Sequence, residues 1–211
     1  SNVITANNGS GDGGNLTIKA GRSVLVNANI TTDNGNLTLK ANETNANGAV
    51  NQRDSGAAAI TLASGTTINV GTGVFTASMD TGAGKTNTNS GDITLSNVTA
   101  GSLVVNNGGN TSGSDILDNG VLTIAGTSSF TTSVSNAVIT LDSANAFTGA
   151  VTINTTGSSG NATIDNGTTA FNVAASSVGG NLTLTSGNSI TDSGTLTVGG
   201  NLAAITDANS G

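Results

Sequence analysis

Along the whole chain an aliphatic residue, a threonine and a second aliphatic follow one another in short runs, separated by Gly, Asn, Asp and Ser. Leu16-Thr17-Ile18, Leu37-Thr38-Leu39, Ile60-Thr61-Leu62, Ile93-Thr94-Leu95, Leu122-Thr123-Ile124, Ile139-Thr140-Leu141, Ala162-Thr163-Ile164 and Leu182-Thr183-Leu184 are the clearest. Alternation of period two puts both aliphatics on one face and the threonine on the other, which predicts strands buried on one side only. Runs this short, bounded by Asn-Gly and similar turn pairs, cannot be helices. From Val121 onward the rhythm suggests two principal strands per coil.

The runs are themselves periodic. Gly180-Asn181-Leu182-Thr183-Leu184 stands twenty residues after Gly160-Asn161-Ala162-Thr163-Ile164 and twenty before Gly200-Asn201-Leu202. Near the start, Gly14-Asn15-Leu16-Thr17-Ile18 returns as Gly35-Asn36-Leu37-Thr38-Leu39. A period of about twenty residues that carries short strands predicts a solenoid with one coil per period. Coils of this kind lay each strand beside its own repeat, so the sheets are parallel, and parallel crossovers are right-handed. The expected fold is all-β, a right-handed parallel β-helix of roughly ten coils of about 20 residues, about 50 Å long. Leu16, Leu37, Ile60, Ile93, Leu122, Ile139, Ala162, Leu182 and Leu202 are expected to form one interior ladder. Asn15, Asn36, Asn161, Asn181 and Asn201, at matching turn positions, are expected to stack their amides down the rod. Three stretches without alternation, near 42–56, 80–90 and 106–119, read as loops extruded from one continuous segment spanning 1–211.

Composition decides whether such a chain folds at all. Gly, Asn, Ser and Thr dominate, which alone would fit disorder, but there is no Pro and charged residues are only 8%. The recurrent Val, Ile and Leu supply what a disordered chain lacks. Twelve acids against five bases give a net charge of −7, which offers no footprint for nucleic acid. No stretch approaches a membrane span, and none has the pattern of a secretion signal. The chain begins at Ser1, as expected of a processed or excised piece. Without Cys there are neither disulfides nor thiolate metal sites, which suits an exported protein.

The phrases Gly179-Gly180-Asn181-Leu182-Thr183-Leu184, Asn188 to Leu202 and Gly65-Thr66-Thr67-Ile68-Asn69-Val70 resemble the repeats of filamentous haemagglutinin-like exoproteins. The resemblance covers nearly the whole chain. It implies a right-handed β-helix in a large bacterial surface protein, exported by two-partner secretion through an outer-membrane partner. That family's secretion domain carries an Asn-Pro-Asn motif. This chain has no Pro, so the resemblance implies an internal shaft segment.

Catalytic chemistry is thinly supplied. There is no His, and the only bases are Arg22, Arg53, Lys19, Lys40 and Lys85, which leaves little for a general base or an oxyanion partner. The aspartates mostly sit beside Gly, Asn or Ser, where Asp is ordinary turn chemistry. Gly9-Ser10-Gly11-Asp12-Gly13-Gly14 echoes a calcium β-roll phrase once and out of phase, so no metal site or cofactor is expected. Incidental calcium would be held by clustered loop carboxylates and carbonyls, for example around Asp115 and Asp118. The outward threonines suit exposed strand faces, and only Thr183-x-Thr185 and Thr195-x-Thr197 approach the paired rows of ice-binding solenoids. The numerous Asn-x-Thr sequons follow from the repeat itself.

The expected function is therefore structural, a non-catalytic shaft segment of a secreted or cell-surface bacterial adhesin or fibre. A polysaccharide lyase or hydrolase on a β-helix is the alternative, and ice binding stands third. Recognition of host-cell or matrix glycans or proteins is expected in the loops, with Arg53, Asp54, Asp80, Lys85, Asp115 and Asp118 as candidates. Neither terminus carries a polar capping repeat, so the ends are expected to continue into further coils or to stack end to end.

Overall fold

The computed structural model describes residues 13–44 and 53–206. The expected strand at Val3-Ile4-Thr5, the glycine-rich phrase up to Asp12 and the first loop from 45 to 52 lie outside the described residues. The described chain forms twenty-three strands and no helix, arranged in three parallel sheets of ten, eight and five strands. Each strand pairs with its counterpart in the coils before and after it. The second sheet carries one unbroken column, Val24, Ile60, Ile93, Ile116, Ile139, Ala162, Leu182 and Leu202. This is a parallel β-helix, and its crossovers are of the kind for which a right-handed course is the rule.

The single ladder expected from the sequence is in fact divided among three. Leu16 and Leu37 stack in the first sheet, continuing to Phe75 and Leu103. Leu122 stacks on Val98 in the third. Only Ile60, Ile93, Ile139, Ala162, Leu182 and Leu202 share the second. The same short phrase is used on every face, so its identity does not report which face it is on. The outward threonines divide the same way: Thr17 and Thr38 lie on the first sheet, Thr61, Thr94, Thr140, Thr163 and Thr183 on the second, and Thr123 on the third.

Three strands turn each coil, not two. The sequence reading missed Asn97–Ala100, Ile116–Asp118, Ala146–Phe147 and Ser176–Val178, which are short, small or polar. The third loop shrinks accordingly to 108–115, because Asn106 and Asn107 complete the strand Ser102–Asn107. Coil-to-coil hydrogen bonds span 21 residues at Asn15, 38 across the first loop, 23 between Asn154 and Ser177 and 20 near the C-terminus. The eight strands of the second sheet therefore mark eight coils among the described residues. At about 4.8 Å per coil the stack is about 40 Å long.

One continuous apolar cluster fills the interior from Val24 to Leu184. Leu37, Ile60, Ile93, Leu122 and Ile139 are wholly buried, each worth about 1.5–3 kcal/mol against exposure. A file of phenylalanines runs through the upper half. Phe130 meets Phe147 edge to face at 5.7 Å, and Phe147 lies 6.5 Å from Phe171. Above Phe147 the third sheet ends, and the strands Phe171–Val173 and Ile190–Asp192 join the first sheet instead.

Candidate functional site

The corners of the coils hold most of the polar chemistry, and one bond recurs there: an exposed or half-buried Asn or Asp side chain accepts a backbone N–H of the coil above, whereas the buried Asn145 and Asn166 accept from the coil below. Asn36 N–H donates to Asn15 Oδ1 at 2.8 Å, Asn181 N–H to Asn161 Oδ1 at 2.7 Å and Asn201 N–H to Asn181 Oδ1 at 2.8 Å. The expected asparagine ladder therefore exists, built from side chain to backbone bonds. A corner cannot complete the sheet ladder, so its N–H groups need another acceptor, and a short amide one coil below supplies it. Close stacking at these corners demands glycine. A Cβ on Gly180 or Gly200 would lie 2.3 Å from the Oδ1 of the asparagine beneath.

The candidate loop residues separate by burial. Arg53, expected to offer a cation at the loop surface, is instead only 6% exposed. Its Nη2 donates to the carbonyls of Asn42 and Glu43 at 3.1 and 2.9 Å, and its Nη1 donates to Asn42 Oδ1. Asn42 is itself fully buried, in the left-handed conformation with φ 54°, and its Nδ2 donates to the carbonyls of Asp80 and Thr88, both at 2.9 Å. Asn87 Nδ2 closes the group on Arg53 O at 2.7 Å. Arg53 and Asn42 thus knit the first and second loops together. Burial pulls the Arg53 pKa below its ordinary value, and the charges of Glu43 and Asp80 push it back. Asp80 forms an ion pair with Lys40 at 3.0 Å on the outer face. Asp54 is exposed, and Lys85 is half-buried in the turn after Gly82.

Asp115 and Asp118 are half-buried corner acceptors. Val138 N–H donates to Asp115 Oδ1 at 2.8 Å, repeating the bond from Asp115 N–H to Asp92 Oδ1 at 3.0 Å one coil below. Asp118 Oδ1 accepts from the N–H groups of Asp142 and Ser143, and its Oδ2 accepts from Asn145 Nδ2 at 2.9 Å. Burial raises the Asp118 pKa, the bonds from Asn145 and Ser143 lower it, and the Asp142 charge raises it. The Asp92 pKa is likewise raised by burial and by Asp115, against the bond from the Asp115 N–H. Among the described residues no group of three or more His, Cys, Asp or Glu side chains is placed to hold a metal ion.

The sequence reading did not single out four fully buried asparagines, Asn42, Asn107, Asn145 and Asn166. Asn166 accepts from Phe147 N–H at 2.7 Å and donates to the carbonyls of Phe147, Thr169 and Ala170 at 3.0–3.1 Å. The available signal was an Asn directly before Gly at 107 and 166, of which Asn107 belongs to the stretch read as the third loop. What these side chains can do is fix corners.

Parallel coils with a common core and Asn-closed corners define a repeat protein of the β-solenoid class. Residues 81–154 and 159–211 match the family described as repeats of unknown function (DUF5649), and the chain belongs to that family. The break between the two matched stretches falls at the end of the strand Val151–Thr156 and the turn after it. No curated protein and no solved structure matches the chain.

Proposed function

We propose that this chain is a non-catalytic shaft segment of a secreted or cell-surface bacterial adhesin or fibre, exported by two-partner secretion. The observation that carries the proposal is the single apolar cluster running through the coils from Val24 to Leu184, because such a stack is a rigid spacer whose length scales with coil number. The use of its buried corner asparagines on backbone groups supports the same reading, since those side chains are occupied in holding coils together. The resemblance of the Gly-Asn-Leu-Thr phrases to filamentous haemagglutinin-like repeats supplies the bacterial surface setting. Contact with host-cell or matrix glycans or proteins falls to the exposed groups of the loops, Asp54 and the turn carrying Lys85.

The test is incubation with a panel of acidic and neutral polysaccharides, followed through reducing ends and unsaturated products. The shaft reading expects none above the blank. Turnover that co-purifies with the chain and is lost in Asp118→Asn would replace it with the carbohydrate-active reading.

A further inference from the structure

Six asparagines of the chain stand directly before a glycine, and four of these pairs, at 34, 107, 119 and 166, lie among the described residues. Such a pair carries its own reaction, because the glycine nitrogen, with no side chain beside it, is placed to attack the asparagine Cγ. The fold decides whether the two groups are free to meet. In three of the pairs both are held. Asn34 Oδ1 accepts the Thr72 N–H at 2.9 Å, and Gly35 N–H donates to Thr32 O at 3.1 Å. The fully buried Asn107 donates to the carbonyls of Gly91 and Asp115 at 3.0 Å, and Gly108 N–H donates to Met79 O at 3.0 Å. Asn166 is locked by the four bonds described above, and Gly167 N–H donates to Asp165 Oδ1 at 2.8 Å.

Asn119-Gly120 differs on each count. It forms the bend between the strands Ile116–Asp118 and Leu122–Ile124, and Asn119 is exposed. Among the described residues neither the Asn119 carboxamide nor the Gly120 N–H makes a hydrogen bond. The glycine is also fixed by packing, since a Cβ there would lie 2.8 Å from Asn97 N and 2.9 Å from Asn97 Oδ1. Stacking on the coil below therefore keeps the reactive pair together, and no bond restrains it.

We propose that Asn119-Gly120 is a site of self-modification, at which the folded chain converts Asn119 to aspartate and isoaspartate and so weakens one corner with age. The Gly120 nitrogen gives its proton to solvent hydroxide and bonds to Asn119 Cγ, closing a five-membered imide. The Cγ–Nδ2 bond breaks, and Nδ2 takes a proton from water and leaves as ammonia. Water then opens the ring. Opening at Cγ restores the ordinary main chain with a carboxylate at 119, next to Asp118. Opening at the other carbonyl leads the main chain through Cβ and Cγ and lengthens it by one atom. That atom falls between two bonds that set the corner, Asn119 N–H to Leu95 O at 2.9 Å and Val121 N–H to Asn97 Oδ1 at 3.1 Å. Just beyond them Leu122 stacks on Val98, so the isoaspartate strains the entry to the third sheet. The proposal holds whether or not the chain is a shaft.

Fragmentation mass spectrometry of the full chain, aged in mildly alkaline buffer either folded or unfolded in guanidinium, follows each pair separately. In the unfolded chain the pairs at 34, 107, 119 and 166 are expected to react at similar rates. In the folded chain Asn119 should keep close to that rate, while the other three slow by about tenfold or more, because each must first break two or more hydrogen bonds. Asn119→Gln, whose longer side chain does not close the five-membered ring, provides the second measurement. Its denaturation midpoint should hold through ageing, while that of the wild type falls as isoaspartate accumulates at 119. Reaction of Asn119 no faster than that of Asn34 in the folded chain overturns the proposal. Equal loss of stability in aged wild type and aged Asn119→Gln overturns the weakening of the corner.

Discussion

Replacing Asn166 by alanine tests whether the corners are held by buried amides. The side chain is fully buried and makes four bonds to backbone groups, one as acceptor from Phe147 N–H and three as donor to the carbonyls of Phe147, Thr169 and Ala170. Alanine removes all four at once in a place water does not reach. Thr169 O keeps its bond from Ser186 Oγ at 2.8 Å, so the main losses are the orphaned Phe147 N–H and the carbonyls of Phe147 and Ala170. At about 1–3 kcal/mol for each buried unsatisfied group, the expected loss is about 3–4 kcal/mol. Asn181→Ala removes a single staple at an exposed corner, where water replaces the lost acceptor, and should cost about 1 kcal/mol or less. Asn166→Asp separates the two roles of the amide, since it keeps an acceptor for Phe147 N–H but turns a carboxylate toward three carbonyls. It should be no more stable than alanine at neutral pH. Guanidinium denaturation followed by circular dichroism measures all three. If Asn166→Ala lost no more than Asn181→Ala, or if Asn166→Asp matched the wild type, the corner would be held by something other than the amide.

Other outcomes follow from the same contacts. Phe147→Ala, which empties the middle of the aromatic file, should cost about 3–5 kcal/mol by chemical denaturation, and Phe147→Leu clearly less. Gly101→Ala would set a Cβ 2.0 Å from the Thr72 carbonyl, a backbone atom that cannot swing away, so a loss of about 3 kcal/mol is expected. Because burial raises the Asp118 pKa in the folded chain, the folded state holds a proton that the unfolded state has already released. Stability therefore falls as pH rises through the carboxylate range and recovers as pH falls toward about 4. Melting curves at both ends of that range should show this dependence flattened in Asp118→Asn. Lys40→Ala breaks an ion pair whose partners are each about a third exposed, and should shift stability by less than about 1 kcal/mol.

The period-two runs and the Gly-Asn-Leu phrase made the parallel solenoid legible in the sequence, because a strand that repeats must stack on itself. What stayed hidden were four strands scattered over all three sheets: Ser176–Val178 in the first, Ile116–Asp118 in the second, and Asn97–Ala100 and Ala146–Phe147 in the third. The last two are short, and Val98, Phe147 and two alanines are all the apolar signal they carry. Stacking from the neighbouring coils, not local pattern, makes them strands. Among the described residues the coils number eight, because the period of about twenty read at both ends of the chain does not hold where a coil carries a loop. The candidate loop residues were legible as positions but not as environments. Charge in a polar stretch suggests a surface, yet Arg53 is buried because the carbonyls of Asn42 and Glu43, directly after the strand Leu37–Ala41, are turned toward it. The aspartates at 115 and 118 were read as turn residues, and the structure adds that their carboxylates reach to the next coil.

Deleting one whole coil tests most directly the claim that the chain is a spacer built from interchangeable coils. Removing residues 182–201 joins Asn181 to Leu202 and sets Leu202 directly on Ala162, with the strand Leu202–Thr206 still on its own column. Removing only 182–191 deletes the same phrase but shifts the remaining strands off their columns. Small-angle scattering and circular dichroism on both report the result. The account predicts that the whole-coil deletion stays folded and loses about 4.8 Å of length, while the half-coil deletion loses ordered strand at its C-terminal end. Collapse of the whole-coil deletion to the same degree as the half-coil deletion would contradict it.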